Sequence, residues 1–410
     1  MGVSRKITEM RCRMLNKQNI NKLVNNVKKD IIFNRRELHK IPETGLILPK
    51  TKAYIKEKLE SMNIKYYETE NIDGIYGLLE GKNKDKIICI RADMDALPII
   101  EKTGLDFSSE NENMHACGHD GHMSILLATL KILNEIKEEL NGSVMFIFQP
   151  GEEGYLGAKK MMDEGLFGEI KPDIIFSSHI GNIFEELKNG EFGIGYGKVM
   201  SSLDRFKLKI SGTESHGAEP HKAKDPFIPA AEILLAVQSI ISREINTNEK
   251  AVISFGKING GTAANIIPAV IELEGTVRAV NNEIREYMDK RIGEIAYYIS
   301  QAHGTNAEYE YIYGAPVVEN EDFLVNDFIK VLDESLEDKK YKILENPTMI
   351  GEDFSYYLQE IPGFYYFFGS KKLTDNKYYA HHTEKFDIEE ENLFRVVYIN
   401  LMFIIKYLNK

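Results

Sequence analysis

The first half of the chain alternates between helical patterns and short apolar runs. Residues 17–39, 50–63 and 124–136 carry apolar positions at helical spacing. The runs between and after them are typical of strands buried on both faces: GIYGLLEG, DKIICIRA, NGSVMFIFQP and PDIIFSSHI. Helices that alternate with buried strands predict an α/β sheet with much parallel pairing, flanked by helices.

The pattern changes near residue 198. Residues 199–314 read as strand, helix, two strands, helix and strand, which predicts a small α+β domain of the ferredoxin-like type. An α/β pattern returns after it, with a helix at 322–337, the strand FYYFFGS and a C-terminal helix from Glu390. We therefore predict that residues 199–314 are inserted into a discontinuous domain formed by residues 1–198 and 315–410.

The amino-acid composition argues against two classes of binding partner. The 410 residues include 51 Lys plus Arg and 63 Asp plus Glu, a net charge of −12. Nucleic acids and anionic membrane surfaces attract basic proteins, so neither is expected as a partner. Hydrophobic residues at 43% and charged residues at 28% are typical of a globular protein. No apolar run approaches the ~18 residues of a membrane span.

Localisation is inferred from the N-terminus and the cysteines. The N-terminal stretch is basic but lacks the apolar segment of a secretory signal. The three cysteines, Cys12, Cys89 and Cys117, are too few and too scattered for a disulfide framework, which favours a reducing compartment. We expect a cytoplasmic protein.

The densest group of chemically active residues is MHACGHDGHM, residues 114–123. Cys117 and His119 would point to the same side of an extended backbone, and His115 would join them only if that extended stretch reached back to it. A thiolate beside an imidazole suits a divalent metal ion, and Gly118 and Gly121 would permit a tight turn around it. The alternative is a polar loop with incidental histidines, which the density of the cluster disfavours.

Further candidates follow predicted strands. Glu152 and Glu153 come directly after the strand VMFIF, at the kind of strand end where α/β folds place their sites. Adjacent residues point in different directions, so one carboxylate could bind metal while the other acts as a general base. His179 ends another strand, and His381 and His382 precede the C-terminal helix. Taken singly, a Glu pair is usually a solvated loop, and a lone His is usually structural.

Other catalytic signatures are missing from the sequence, including GxSxG, the phosphate-binding GxxxxGK[ST], HExxH and CxxC. Cys117 could formally act as a nucleophile with His119. A Cys–His dyad would, however, need neither the flanking histidines nor the distant carboxylates.

Motifs in order along nearly the whole chain resemble the amidohydrolase branch of the M20 metallopeptidase family. That branch includes N-acyl-amino-acid amidohydrolases, hippurate hydrolases, plant auxin-conjugate hydrolases and N-acetyldiaminopimelate deacetylases. The motifs are RRELHKIPE, RADMDALPI, MHACGHDGH, FQPGEEG, HGAEPH, GGTAANIIPA, GTVRA, GEDF and HHTEKFDIEEE.

The resemblance implies a site for two divalent metal ions, with zinc, manganese, cobalt and nickel all open. The family's ligand positions fall on Cys117, His119, Glu153, His179 and His382. His382 is preferred to His381 because the motif places the ligand four residues before Phe386. Glu152 matches the general base, and Asp95 matches a residue that orients a ligand. Asp93 stands where the broader family has a ligand His, and the amidohydrolase branch shares this difference.

The resemblance also makes the inserted domain a lid and dimerisation domain. His216 matches a histidine that reaches the substrate carbonyl, often in the partner subunit's site, while Asn265 and Arg278 match residues that hold the substrate. The chain departs from the family's Gly-Gly-His-Ala-Ala here, since it has Glu214-Ser215-His216-Gly217-Ala218. The histidine is kept, but the pocket around it is expected to differ.

The implied function is metal-dependent hydrolysis of an N-acyl amino acid by a homodimer, with Glu152 as the general base for water activated by the metals. A dipeptidase or carboxypeptidase and an N-acetyldiaminopimelate deacetylase are alternatives within the family. A catalytically silent metal-binding homologue and a cysteine-dependent hydrolase are alternatives of other functional classes. The presence of both the full ligand set and Glu152 disfavours the silent homologue.

Overall fold

The computed structural model describes residues 15–83, 85–373 and 377–410. Cys12 and the N-terminal stretch used for the signal prediction lie outside them. The described helices are α1 (Lys17–His39), α2 (Pro49–Ser61), α3 (His119–Ile136), α4 (Gly157–Asp163), α5 (Phe227–Ser239), α6 (Asn282–Ala302), α7 (Asp322–Ser335), α8 (Ser355–Leu358) and α9 (Leu393–Leu408). None of them combines the length and apolar character needed to cross a membrane.

The described strands follow the chain order. They are β1 (Tyr67–Glu68), β2 (Ile75–Leu79), β3 (Ile87–Asp93), β4 (Ser143–Gln149), β5 (Ile174–Gly181), β6 (Phe192–Ile194), β7 (Gly197–Met200), β8 (Asp204–Ser211), β9 (Ser215–His216), β10 (Ala251–Gly260), β11 (Ile266–Ile267), β12 (Val270–Ala279), β13 (Asn306–Ile312), β14 (Val318–Asn320), β15 (Tyr341–Ile343) and β16 (Gly363–Gly369).

The chain divides into two compact units. The first runs up to Gly197 and continues with Glu319–Asn346 and Tyr356–Lys410, and the second comprises Lys198–Val318 and Pro347–Ser355. The sequence pattern assigned the short segment 347–355 to the first domain. It packs with the second unit because the Ser201 N–H donates to the carbonyl oxygens of Thr348 and Ile350, each at 3.1 Å. Such a segment has no periodicity that sequence reasoning could detect.

The first unit is built on an eight-stranded mixed sheet in the order β1-β2-β4-β3-β5-β16-β6-β15. Its central neighbours β4, β3, β5 and β16 are parallel, and the β1–β2, β2–β4 and β16–β6 pairs are antiparallel. Every residue of β4 and β16 is buried, as the continuous apolar runs predicted. Helices α1, α3 and α9 pack against one another and supply much of the core. The predicted α/β architecture is confirmed.

The order of strands in this sheet reverses beside β3. The chain leaves β3, forms α3 and returns as β4 on one side, and then passes α4 to reach β5 on the other side. Such a reversal opens a crevice at the carboxyl ends of the strands, where α/β folds place their ligands. The three segments that follow β3, β4 and β5 therefore meet at one edge.

The second unit is a four-stranded antiparallel sheet in the order β10-β12-β8-β13, with α5 and α6 packed on it. The order of elements along the chain, β8-α5-β10-β12-α6-β13, is the predicted ferredoxin-like arrangement. Burial alternates along β8, so one face of the sheet meets the helices and the other face is charged.

Candidate metal centre

Side chains from the three meeting segments collect at the crevice of the first unit. Asp95 follows β3, Glu152 and Glu153 follow β4, and His179 lies near the end of β5. Helix α3 begins at His119, directly after Cys117 and Gly118. The residues that we predicted at the ends of these strands therefore lie close together in the structure.

The path of the chain through Cys117 and His119 differs from the extended strand that we predicted. Gly118 has a left-handed backbone with φ of 87°, and His119 is already the first residue of α3. The thiol and the imidazole are brought together by this turn, which glycine adopts without the cost a side chain would add. His115 does not join them: its ring is buried, and neither ring nitrogen has a hydrogen-bond partner among the described residues.

The imidazole of His119 is held with one nitrogen facing the crevice. Its Nδ1–H donates to the main-chain oxygen of Asp95 at 2.8 Å, so Nε2 is the nitrogen whose lone pair is available to a metal ion when the ring is neutral. Nε2 is buried and has no hydrogen-bond partner within the described part of the chain. Burial opposes protonation, but Asp93, Asp95 and Glu153 raise the pKa of His119 to about 10. Surroundings that favour a proton here would favour a metal cation equally.

His179 is held in the same way. Its Nδ1–H donates to the carbonyl oxygen of Ile180 at 2.7 Å, and its Nε2 lies 3.4 Å from Cys117 Sγ. Burial lowers the pKa of His179 well below its usual value, and burial with the nearby Glu153 and Glu152 raises the pKa of the Cys117 thiol. A bound cation would reverse the second effect, because a coordinating thiol loses its proton.

Asp95 fixes the two glutamates through their backbone. Its Oδ1 accepts the Glu152 N–H and its Oδ2 accepts the Glu153 N–H, both at 3.0 Å. We predicted that Asp95 orients a ligand, and the atom that contacts His119 most closely is its main-chain oxygen rather than its carboxylate, which lies 3.6 Å from Nδ1. One residue therefore connects the ring of His119 to the loop that carries both carboxylates.

The structure places His382, and not His381, beside Glu153. His382 Nε2 lies 3.2 Å from Glu153 Oε1, and the His382 N–H donates to the Ala116 carbonyl oxygen at 2.9 Å, one residue before Cys117. His381 is partly buried, and its Nε2 accepts the Asn182 N–H at 2.8 Å. Because that nitrogen is engaged, the geometry favours the predicted His382 as the donor.

The donor atoms form groups that share Cys117. One atom each from Cys117, His119 and His179 lie within 4.8 Å of one another, as do those of Cys117, Glu153 and His382. A third such group joins Glu152 to His119 and Glu153. Sulfur, imidazole and carboxylate donors in two groups with a common member fit two divalent ions of the zinc, cobalt or manganese type. The buried His119 Nε2, which has no hydrogen-bond partner among the described residues, supports this fit.

The predicted substrate residues lie in the second unit. His216 and Asn265 are exposed neighbours, since His216 pairs with Ile266 and the Gly217 N–H donates to the Asn265 oxygen at 2.7 Å. A Cβ at Gly217 would lie 3.2 Å from that carbonyl group, so the glycine of the departing motif permits this close approach. Arg278 is half-buried, and its Nη1 donates to the main-chain oxygens of Asp204 and Val277.

Sequence reasoning did not give roles to two further sets of buried polar residues. Asp93 and His122 share a hydrogen bond behind the crevice. Arg35 and His39 form ion pairs and hydrogen bonds with Asp120, next to His119. Both sets occur inside motifs that carry the family resemblance, but the spacing of their residues indicates nothing about which side chains meet.

A sequence profile of peptidase family M20/M25/M40 matches residues 89–405. The chain therefore belongs to this family. Like other members of this peptidase family, it is a hydrolase of amide bonds. It is 36% identical over 373 residues to N-acetyl-L-cysteine deacetylase of Bacillus subtilis (strain 168), covering 91% of this chain and 86% of the relative. It is 37% identical over 326 residues to hippurate hydrolase of Campylobacter jejuni, covering 79% of this chain and 84% of the relative.

Among solved structures, this M20/M25/M40 member resembles the Bacillus subtilis YXEP protein, described as a dinuclear metal-binding peptidase of the M20 family. The two share 30% identity with a TM-score of 0.80, over 94% of this chain and 99% of that one. Together with the deacetylase and hippurate hydrolase relatives, this likeness confirms the resemblance to the amidohydrolase branch that the motifs indicated.

Proposed function

We propose that the protein hydrolyses the amide bond of an N-acylated amino acid, such as an N-acetyl or N-benzoyl derivative, to a carboxylate and a free amino acid. The observation that carries the proposal is the convergence of five side chains that could bind metal with one further carboxylate, Glu152, at the crevice of the first unit. The deacetylase and hippurate hydrolase relatives support an N-acyl amino acid as the substrate class.

Two divalent ions would be held by Cys117, His119, Glu153, His179 and His382, with Cys117 in both groups. When bound, such ions polarise a carbonyl oxygen and lower the pKa of water. His119 and His179 present Nε2 because a main-chain oxygen holds each Nδ1–H. These second-sphere bonds keep the donors in place before any ion arrives.

Glu152 is the proposed general base. Its carboxylate is within 4.8 Å of donor atoms of His119 and Glu153, and Asp95 fixes its backbone. It is only partly buried, so its carboxylate can reach a water molecule at the crevice. Glu152 would take a proton from the attacking water and return it to the leaving amine, a role that contributes ~10²–10⁴-fold to rate.

The adjacent glutamates supply a matched pair of variants. Glu152→Gln should keep the metal content of the protein and lower kcat by at least ~10²-fold. Glu153→Gln should instead lower the metal content, because an amide is a poor substitute for a ligating carboxylate. Metal is measured by elemental analysis and hydrolysis by release of free amine. Full turnover by Glu152→Gln would refute its role as the base.

A substrate panel separates the remaining activities. N-acetyl and N-benzoyl amino acids, N-acetyldiaminopimelate and dipeptides are compared at equal concentration after the protein has been stripped of metal and reloaded with zinc, manganese, cobalt or nickel. The proposal predicts the highest kcat/KM for an N-acyl amino acid. Preference for dipeptides would support a peptidase, and metal binding without hydrolysis would support a silent homologue. Loss of activity by alkylation but not by chelation would support a cysteine hydrolase.

The second unit is the proposed lid and dimerisation domain. His216 would stabilise the oxyanion in the partner's site, while Asn265 and Arg278 would hold the substrate carboxylate. Mixing two inactive variants, Glu152→Gln and His216→Ala, tests sharing between subunits. Random exchange in a twofold dimer would restore about a quarter of wild-type activity. No recovery after proven subunit exchange would exclude sharing.

A further inference from the structure

Three buried polar side chains lie behind the metal centre, between β3 and α3. Arg91 and Asp93 belong to β3 and His122 belongs to α3, and each is at most 5% exposed. Arg91 donates through Nη1 to Asp93 Oδ2 at 2.7 Å and through Nε to Gln149 Oε1 at 2.9 Å. The other carboxylate oxygen of Asp93 lies 2.5 Å from His122 Nδ1. The three residues thus form one chain of hydrogen bonds.

The tautomer of His122 follows from its two contacts. The backbone N–H of Ile180 donates to His122 Nε2 at 3.0 Å, and a backbone N–H can only donate. Nε2 is therefore the acceptor, and Nδ1 carries the proton that it shares with Asp93. Although donor atoms of Asp93, His119 and His122 lie within 4.8 Å of one another, His122 has no lone pair left for an ion. We therefore exclude it as a ligand.

The Ile180 N–H needs this acceptor because of the way the sheet opens. Strand β3 pairs with β5 only from Ile88–Ile90 to Ile174–Phe176. Beyond that point two side chains replace the backbone ladder: Ser177 Oγ donates to the Arg91 oxygen at 3.0 Å, and His122 accepts from Ile180. On its other side β5 stays paired with β16 as far as Gly181.

Ile180 in turn orients a proposed ligand. Its carbonyl oxygen accepts the Nδ1–H of His179, so the same residue is held by His122 and holds His179. The ring of His122 also stacks on His119 at 5.4 Å and stands edge-on to His179 at 4.8 Å, measured between ring centroids. His122 therefore contacts the rings of both proposed histidine ligands of one metal group.

We propose that His122, fixed by Asp93 and Arg91, is a positioning residue that sets the geometry of His179 by holding the Ile180 N–H across the opening between β3 and β5. This inference rests on the proposed metal-dependent function. It predicts that the acceptor atom at the Nε2 position matters more than the donor atom at Nδ1.

Two substitutions of His122 test its two ring nitrogens, Nε2 and Nδ1, separately. The side-chain amide of His122→Gln can reach the position of Nε2 and keep an acceptor for Ile180. The shorter amide of His122→Asn can keep a donor to Asp93 but leaves the Ile180 N–H without its acceptor. The full-length protein is titrated with cobalt(II) against a competing chelator, and the visible spectrum of bound cobalt is recorded. We expect His122→Asn to lose ~10–100-fold in cobalt affinity with a changed spectrum, and His122→Gln to be within ~3-fold of wild type.

Ser177→Ala serves as the matched control, because it removes the neighbouring side-chain bond and leaves His122 intact. We expect it to weaken cobalt binding less than ~10-fold, with an unchanged spectrum. Equal losses in His122→Asn and His122→Gln, or in His122→Asn and Ser177→Ala, would overturn the proposal, as would wild-type affinity in all three variants. If His122→Asn does not fold, a loss of cobalt affinity in His122→Gln that exceeds the loss in Ser177→Ala would still overturn the proposal.

The cobalt titration tests the role of His122, and the hydrolysis assay tests the proposed function independently of it. A wild-type protein that binds cobalt but hydrolyses no member of the substrate panel would reject the proposed function, while the cobalt affinities would still judge the role of His122. A wild-type protein that binds no cobalt would overturn both.

Discussion

Two buried polar clusters lie side by side in the first unit, and they differ in how their atoms are satisfied. Around Arg35, the guanidinium pairs with Asp120, Asp387 and Glu390 at 2.8–3.1 Å. His39 uses one ring nitrogen for Asp120 and the other for Glu101. In the metal centre, by contrast, His119 Nε2 is buried and has no hydrogen-bond partner among the described residues. Glu153 Oε1 meets the imidazole of His382, which is itself a proposed ligand, at 3.2 Å.

The difference separates a structural cluster from a binding site. Buried charges persist in proteins when they are paired, and the Arg35 guanidinium has three carboxylates as ion-pair partners. A buried ring nitrogen without a partner, as at His119, carries a desolvation cost that a bound cation would remove. The two clusters meet at Asp120 and His119, adjacent residues at the start of α3, so the first cluster anchors the loop from which the second is built.

The largest effect is expected from the donor that both metal groups share. Cys117→Ala should lose most bound metal and lower kcat/KM at least ~10³-fold, because a catalytic ion supplies several kcal/mol of transition-state stabilisation. Elemental analysis and the hydrolysis assay measure the two losses. Unchanged metal stoichiometry would refute the ligand role of Cys117.

Substitutions in the Arg35 cluster should change the stability of the fold rather than metal binding. Arg35→Met removes the guanidinium that pairs with three carboxylates and should lower the free energy of unfolding by about 3–5 kcal/mol. Arg35→Lys, which keeps the charge, should lose less. Urea unfolding followed by circular dichroism measures the effect. Metal loss from a folded Arg35→Lys protein would show that the two clusters are not separate in function.

The protonation of His39 should make the free energy of unfolding depend on pH. Burial and Arg35 oppose its protonation, but the hydrogen bonds to Asp120 and Glu101 leave its pKa raised. Protonated His39 therefore stabilises the fold below its unfolded pKa of ~6.5, and this contribution is lost as the pH rises through the raised folded value.

Urea unfolding of the metal-free protein from about pH 6 to pH 9 measures this loss. His39→Gln should show a smaller decline in stability over that range. His119 titrates in both proteins, so the difference between them isolates His39. Identical slopes would contradict the assignment.

The smallest change in the free energy of unfolding is expected for an ion pair whose side chains are exposed. Lys159 Nζ lies 2.7 Å from Asp163 Oδ2 on α4, as close as the pairs of Arg35, but the two side chains are 48% and 60% exposed. Asp163→Ala should change the free energy of unfolding by less than ~0.5 kcal/mol. A change comparable to that of Arg35→Met would show that distance, and not burial, determines the strength of these pairs.

Periodicity and strand-end reasoning predicted much of this molecule. Apolar runs located β3, β4, β5 and β16, and helical spacing located α1 at its observed bounds. The ferredoxin-like order of the second unit followed from its sequence of elements. These features are local, or depend on the order of elements along the chain, so the sequence carries them directly.

The remaining features depend on contacts between distant segments. The early start of α3 at His119 follows the left-handed turn at Gly118, which the predicted extended geometry missed. The bonds from His122 to Asp93 and Ile180 join residues up to 58 positions apart, and no pattern within one segment reveals them. The segment 347–355 joins the second unit through hydrogen bonds of the same non-local kind.

The central claim is that the converging donor atoms around Cys117 hold metal ions. X-ray absorption spectroscopy of the zinc-loaded protein tests it most directly. The account predicts a sulfur scatterer at about 2.3 Å together with imidazole nitrogen and carboxylate oxygen near 2.0–2.1 Å, and loss of the sulfur contribution in Cys117→Ala. A zinc environment of nitrogen and oxygen alone, identical in both proteins, would contradict it.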